Sequence, residues 1–262
     1  MFRTVDISDP VPGVPSLRHV TVKSPALGRR VDISVCISPG NDPLPLVILL
    51  HGVYGSHWDW AISGHAPTTL ASLVDARTIR PMALAMPSDG LWGDGSAYLR
   101  HGDEDAETFI VDEVAAAAAI VDPRAGATGD VFIAGLSMGG FGAVRLACLH
   151  PQRFRAAAGM SSVTELSWLM GAVEEPLSAY EAEPGTGTLL EVVTGVDAEL
   201  RPPLRFDCGL DDHLLAANRT LHQELVSAGV QHEYSEPPGG HAWPYWRARL
   251  PEVLNFFERQ LA

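Results

Sequence analysis

Ser137 stands in Gly135-Leu136-Ser137-Met138-Gly139. An apolar run, Val131-Phe132-Ile133-Ala134, precedes it, and a helix-like stretch from Gly140 to His150 follows and stops at Pro151. A G-x-S-x-G between a strand and a helix forms a sharp elbow that presents the serine hydroxyl at a helix N-terminus. There, free backbone N–H groups and a partial positive charge face the oxygen. Such a turn leaves no room for side chains beside the serine, which accounts for glycine on both sides. The chemistry this suits is nucleophilic attack on an acyl carbon. A hydroxyl does this only when a base removes its proton and a third group orients that base.

The elbow therefore predicts an acid and then a histidine further along the chain. Cys208-Gly209-Leu210-Asp211-Asp212 follows a strand-like run, and Gly239-Gly240-His241 follows the next one. Among ten histidines, His241 alone combines the required order with a glycine-rich loop after the last strand. Asp211 and Asp212 are adjacent, so only one can face the imidazole. Loop position favours Asp212, with Asp207, inside the strand pattern, a distant third. His150 reads as a helix cap, and His213 adjoins the acids but precedes the position required of a base.

Acyl transfer also needs two backbone N–H groups aimed at the developing oxyanion. Met138, directly after the serine, supplies one. The second is expected from Leu50-His51-Gly52-Val53-Tyr54-Gly55, where Gly52 lets the chain turn and leaves the Val53 N–H free, with His51 holding the loop. Tyr54, Trp58, Trp92, Trp168 and Trp243 fall in loops or at element ends near the same edge. They could line a substrate pocket, or pack the loops together.

Several elements must position these groups. Leu46–Leu50, Met82–Met86 and Val131–Ala134 are short and continuously apolar, as suits strands covered on both faces of a parallel sheet. Arg18–Val22 and Val31–Ile37 read as an antiparallel opening hairpin. Further strands are expected at Ala156–Met160, Leu204–Cys208 and Gln231–Ser235. Helices are expected at Glu107–Val121, Leu214–Val226 and Leu250–Leu261. The alternation predicts an α/β fold with a mostly parallel central sheet and helices on both faces. One domain is expected over residues 1–262, with a small cap insertion at about 163–201 over the C-terminal edge of the sheet, where open α/β folds bind ligands.

Composition narrows the partners. The 262 residues are 46% hydrophobic and 19% charged, ordinary values for a soluble globular protein. A formal net charge of −14 argues against nucleic acid as a partner. Cys36, Cys148 and Cys208 are too scattered for a disulfide framework or a metal site. No H-E-x-x-H, phosphate loop or dinucleotide fingerprint stands out, so neither metal nor cofactor is expected. The longest apolar stretch, Val114–Val121, is far short of a membrane span. The first residues, Met1 to Asp6, lack a signal-peptide core, so a cytoplasmic protein is expected.

Taken together, these residues resemble the esterase D-like branch of the α/β-hydrolases. The matching pieces are Leu49-Leu50-His51-Gly52 with Trp58-Asp59-Trp60, then Ala134 to Ala143, then Cys208 to Asp212 with Leu214, and finally Gly239 to Trp246. They run in the family's order from about residue 20 to the C-terminus. The resemblance implies an α/β-hydrolase fold, with Ser137 as nucleophile, His241 as base and Asp212, three residues after Gly209, as acid. It also implies oxyanion donors at Val53 and Met138. Ala242 departs from relatives that carry a polar residue after the histidine.

The resemblance implies a serine carboxylesterase that hydrolyses short-chain acyl esters of small molecules through an acyl-enzyme and needs no cofactor. An acyltransferase would use the same triad. A thioesterase of the S-formylglutathione hydrolase type is less favoured, because Val53-Tyr54-Gly55 stands where that group carries a cysteine. A non-catalytic binding module would not need nucleophile, base, acid and oxyanion loop together.

Overall fold

The computed structural model describes residues 1–14, 16–180 and 182–261 of the chain. An antiparallel opening of β1 (Val5–Ile7), β2 (Leu17–Lys23) and β3 (Arg30–Ile37) leads to β4 (Leu46–Leu50), α1 (Asp59–Ile62), α2 (Ala66–Asp75) and β5 (Ala83–Pro87). A two-residue ladder, β6 (Arg100–His101) with β7 (Glu104–Asp105), precedes α3 (Ala106–Thr108) and α4 (Val114–Val121). Then come β8 (Val131–Leu136), α5 (Met138–Leu149), β9 (Ala156–Met160) and α6 (Leu189–Gly195). The chain closes with β10 (Leu204–Asp207), α7 (Leu215–Ser227), β11 (Glu233–Ser235) and α8 (Trp243–Arg259).

Nine strands form one sheet in the order β1-β2-β3-β5-β4-β8-β9-β10-β11. Pairing is antiparallel from β1 through β3 to β5 and parallel from β5 onward. Alternate strand residues serve opposite faces. In β4, Leu46, Ile48 and Leu50 join the core with α4, α5, α6 and α7, while Val47 and Leu49 join the core with α2 and α8. Both faces are covered, which is why these strands are apolar at every position. Phe132 of β8 stacks on Phe257 of α8 with centroids 4.8 Å apart, fixing that helix across the sheet centre.

The last helix departs from expectation. It begins at Trp243 rather than Leu250 and runs straight through Pro251. Pro244 suits the first turn, where an N–H has no helical partner. Pro251 removes an interior hydrogen bond, but the helix buries Tyr245, Trp246, Leu250, Val253, Leu254, Phe256 and Phe257 along one face. That burial outweighs the lost bond. The helix expected at Glu107–Val121 starts one residue earlier and widens into a π-helical turn over Phe109–Glu113. There Glu113 accepts hydrogen bonds from Ser24 Oγ (2.5 Å) and the Ala26 N–H (2.9 Å).

Residues 163–201 contain 3₁₀ turns at Leu166–Leu169 and Leu177–Ala179 and then α6, which packs against α5 and α7. The segment is fastened to the loop after β5. Glu175 accepts from the Asp94 N–H (3.1 Å), the Glu174 N–H donates to Asp94 Oδ2 (2.8 Å), and Tyr180 Oη donates to the Gly95 carbonyl (2.9 Å).

Candidate active site

The elbow is built by close backbone approach. Ser137 sits at φ 53° and ψ −120°, a strained conformation for a side-chain-bearing residue. A β-carbon on Gly135 would overlap the Gly139 carbonyl, and one on Gly139 would meet the Leu50 carbonyl at 2.5 Å. The N-terminus of α5 is thus pressed against the ends of β8 and β4, and only glycine allows it. The Ser137 N–H donates to the Met160 carbonyl (3.0 Å), tying the strained residue to β9.

Three side chains from three loops converge. His241 Nε2 lies 3.0 Å from Ser137 Oγ, and His241 Nδ1 lies 2.9 Å from Asp212 Oδ2. Asp212 is buried and also accepts the Leu214 N–H at 2.9 Å. Burial alone would push its carboxyl pKa up. The hydrogen bonds from His241 and Leu214 outweigh burial and hold the carboxyl below its ordinary value, as an anion facing the imidazole. Asp211, by contrast, is exposed, and its N–H donates to the Gly239 carbonyl (2.9 Å). Its backbone therefore joins the acid loop to the histidine loop.

Asp207 is fully buried but faces elsewhere. It accepts from Tyr245 Oη at 2.6 Å, is paired with Arg205, and lies 3.7 Å from Arg249 Nε. This cluster anchors the start of α8 beneath the histidine loop.

The loop after β4 is held from behind. His51 is buried, with Nδ1 2.7 Å from the Gly52 carbonyl and Nε2 accepting the Asp89 N–H at 3.1 Å. Tyr98 Oη donates to the His51 carbonyl (2.9 Å). A β-carbon on Gly52 would come within 3.4 Å of Ser137 Cβ, so Val53 follows directly on a residue abutting the serine. Neither the Val53 nor the Met138 N–H donates to an acceptor among the described residues. Both are available to an oxyanion. The sequence offered His51 as the loop's support but gave no sign of Asp89 or Tyr98, which lie far along the chain.

The five aromatic candidates divide. Tyr54 (67% exposed) and Trp58 (43%) stand out to solvent on the loop after β4. Trp168 is exposed and lines a hollow of about 430 Å³ with Thr164, Glu165, Thr188 and Leu190 on one side and α7 on the other. Trp92 lies flat on His101, with centroids 3.6 Å apart, and meets Tyr180 edge-on. Trp243 packs edge-on against Trp60 and Trp246. The rings of Trp92 and Trp243 thus hold loops together.

The cysteines are buried thiols with no disulfide. Burial pushes Cys36 up to about 11 and Cys148 and Cys208 to about 12, so none is a thiolate near neutral pH.

A sheet of this order, with a serine elbow after its central parallel strand and the acid and histidine on later loops, defines an α/β-hydrolase. The family model described as "Putative esterase" matches residues 24–257, and the chain belongs to that family. An acetyl esterase of Caldicellulosiruptor saccharolyticus is 26% identical over 239 residues, 84% of this chain and 85% of the relative. A ferulic acid esterase structure superposes with a TM-score of 0.78 at 26% identity and full coverage of both chains. An S-formylglutathione hydrolase of Staphylococcus aureus shares the fold, with a TM-score of 0.76 at 20% identity over 96% of this chain and 99% of its own. The chain is a serine esterase, a carboxylic ester hydrolase acting on small-molecule esters. No described helix is long and apolar enough to cross a membrane.

Proposed function

We propose that this esterase hydrolyses short-chain acyl esters through an acyl-enzyme on Ser137, with His241 as base and Asp212 as orienting acid. His241 Nε2 takes the hydroxyl proton as Ser137 Oγ attacks the ester carbon. The tetrahedral oxyanion is held by the Val53 and Met138 N–H groups, whose dipoles are fixed before the charge develops. His241 then returns the proton to the departing alkoxide, leaving the acyl group on Ser137. Water repeats the sequence, giving its proton to His241 and releasing the acid. Asp212 stabilises the imidazolium formed in each half.

The observation that carries the reading is the unbroken hydrogen-bonded chain Ser137 Oγ–His241 Nε2 and His241 Nδ1–Asp212 Oδ2. The likeness to an acetyl esterase supports a short acyl group. Tyr54, Trp58 and Trp168 are the aromatics with exposed faces left for the ester's alcohol group, and residues 163–201 would close over it. Reduced, buried cysteines accord with a cytoplasmic setting.

Hydrolysis of p-nitrophenyl acetate, butyrate, octanoate and palmitate tests the reading. Turnover should fall with chain length and vanish in Ser137→Ala. Turnover that survives in Ser137→Ala, or that peaks with palmitate, contradicts it.

A further inference from the structure

His213, next to the acid, is absorbed by none of the chemistry above. Its side chain is 67% exposed and makes no hydrogen bond among the described residues. Its Nδ1 lies 3.6 Å from Asp212 Oδ1, and its ring meets that of His241 edge-on with centroids 4.6 Å apart. Asp212, His213 and His241 each offer one ligand atom, and the three atoms lie within 4.8 Å of one another. A tetrahedral zinc site with bonds of about 2.0 Å has ligand atoms roughly 3.3 Å apart. The contraction needed is small, and the exposed His213 ring can supply it by turning. Two imidazoles and a carboxylate, with a fourth position open to water, form a donor set zinc accepts.

We propose that Asp212, His213 and His241 form an inhibitory site for a zinc-type divalent transition metal, which switches the triad off. The inhibitory half of this rests on His241 being the base. His241 meets Asp212 through Nδ1, so a metal entering between the two residues and His213 binds that nitrogen. A neutral imidazole bound at Nδ1 carries its proton on Nε2. That nitrogen lies 3.0 Å from Ser137 Oγ and can then only donate, so it cannot take the serine proton. The same metal draws Asp212 away from orienting the ring. The site is invisible to spacing rules, since Asp212-His213 and His241 belong to different loops that meet only in the fold.

Zinc chloride titrated calorimetrically into the Ser137→Ala protein near neutral pH, without chelating buffer, measures binding where no turnover is needed. One saturable site is expected. Adding His213→Asn or, separately, His213→Gln should weaken it at least about tenfold, the cost that loss of even an outer partner carries at metal sites. His222→Gln serves as the control, because His222 and His232 form a separate pair with ring nitrogens 2.8 Å apart. It should leave the affinity as it was. In the parent enzyme zinc should suppress ester hydrolysis, EDTA should restore it, and His213→Asn should raise the inhibitory concentration by the same factor. Absence of saturable binding, or equal affinity with and without His213, overturns the site. Binding without inhibition in an active enzyme overturns the switch. A protein that binds zinc through His213 yet hydrolyses no ester fails the esterase reading and leaves the metal site standing.

Discussion

The floor beneath Ser137 and the segment over residues 163–201 are held by different forces. At the floor, backbone meets backbone: Gly135 against Gly139, and Gly139 against the end of β4. These contacts leave no freedom, and they fix Ser137 in a strained conformation. In the 163–201 segment side chains do the fastening: Leu169, Leu189, Val192 and Val193 pack into the core, and Glu174, Glu175 and Tyr180 hydrogen-bond to Asp94 and Gly95 of the loop after β5. Trp168 and Met170 there face solvent, at 42% and 65% exposure. The difference separates two jobs. Chemistry needs groups placed to a fraction of an ångström, whereas solvent-facing side chains such as Trp168 and Met170 can change without disturbing the buried contacts that fix the elbow.

Substitutions can break that contrast, and Ser137→Ala should have the largest effect. It should lower kcat by about 10⁶-fold, as loss of a nucleophile does in a triad enzyme, with an unchanged melting temperature. Asp212→Asn should follow, at about 10⁴-fold, because the amide favours the wrong imidazole tautomer. Asp211→Asn, on the same loop but turned outward, should stay within about twofold by ester assay. Comparable losses in the two asparagine variants would mean that Asp212 does not orient His241.

Glu107→Gln tests the foundation of the floor rather than its chemistry. Glu107 joins α3 to α5, with Arg145 Nη1 and His150 Nε2 each 2.7 Å from one of its oxygens. Burial pushes its carboxyl up, but the His150 hydrogen bond and the Arg145 charge outweigh that and hold it at about 2, against an ordinary 4.5. Its folded pKa lies below its unfolded one. The stabilisation is therefore complete above about pH 4.5 and disappears as the pH falls toward 2. Urea unfolding near neutral pH should show a loss of about 2 kcal/mol in Glu107→Gln. The difference between variant and parent should shrink as the pH is lowered through that window. Trp168→Ala should raise KM by up to about tenfold for aromatic esters, with kcat on p-nitrophenyl acetate preserved.

Much of this was legible in the sequence because parallel strands buried on both faces are short and wholly apolar. Leu46–Leu50 and Ala156–Met160 matched to the residue, and the serine elbow announced itself by glycine spacing. The family followed from the same motifs. The start of α8 was placed too late, at Leu250, although aromatic residues follow His241 directly, and burial of the whole apolar face shows that one helix runs from Trp243 through Pro251. Helices α1 and α6 were missed, being four and seven residues long, and α2 was missed although its ten residues are amphipathic and carry Pro67 in the first turn. The adjacent aspartates could be ranked but not separated by pattern, since burial distinguishes them and burial is a property of the fold. The contacts of His213 with Asp212 and His241, and the Asp89 support behind His51, were invisible for the same reason.

The central claim is that Ser137 is the activated nucleophile of this esterase, and covalent labelling tests it most directly. A fluorophosphonate probe, followed by peptide mass spectrometry, should place a single adduct on Ser137, with labelling slowed by orders of magnitude in Asp212→Asn. A folded protein that takes no label, or an adduct on a neighbouring buried serine such as Ser161 or Ser162, would contradict the account.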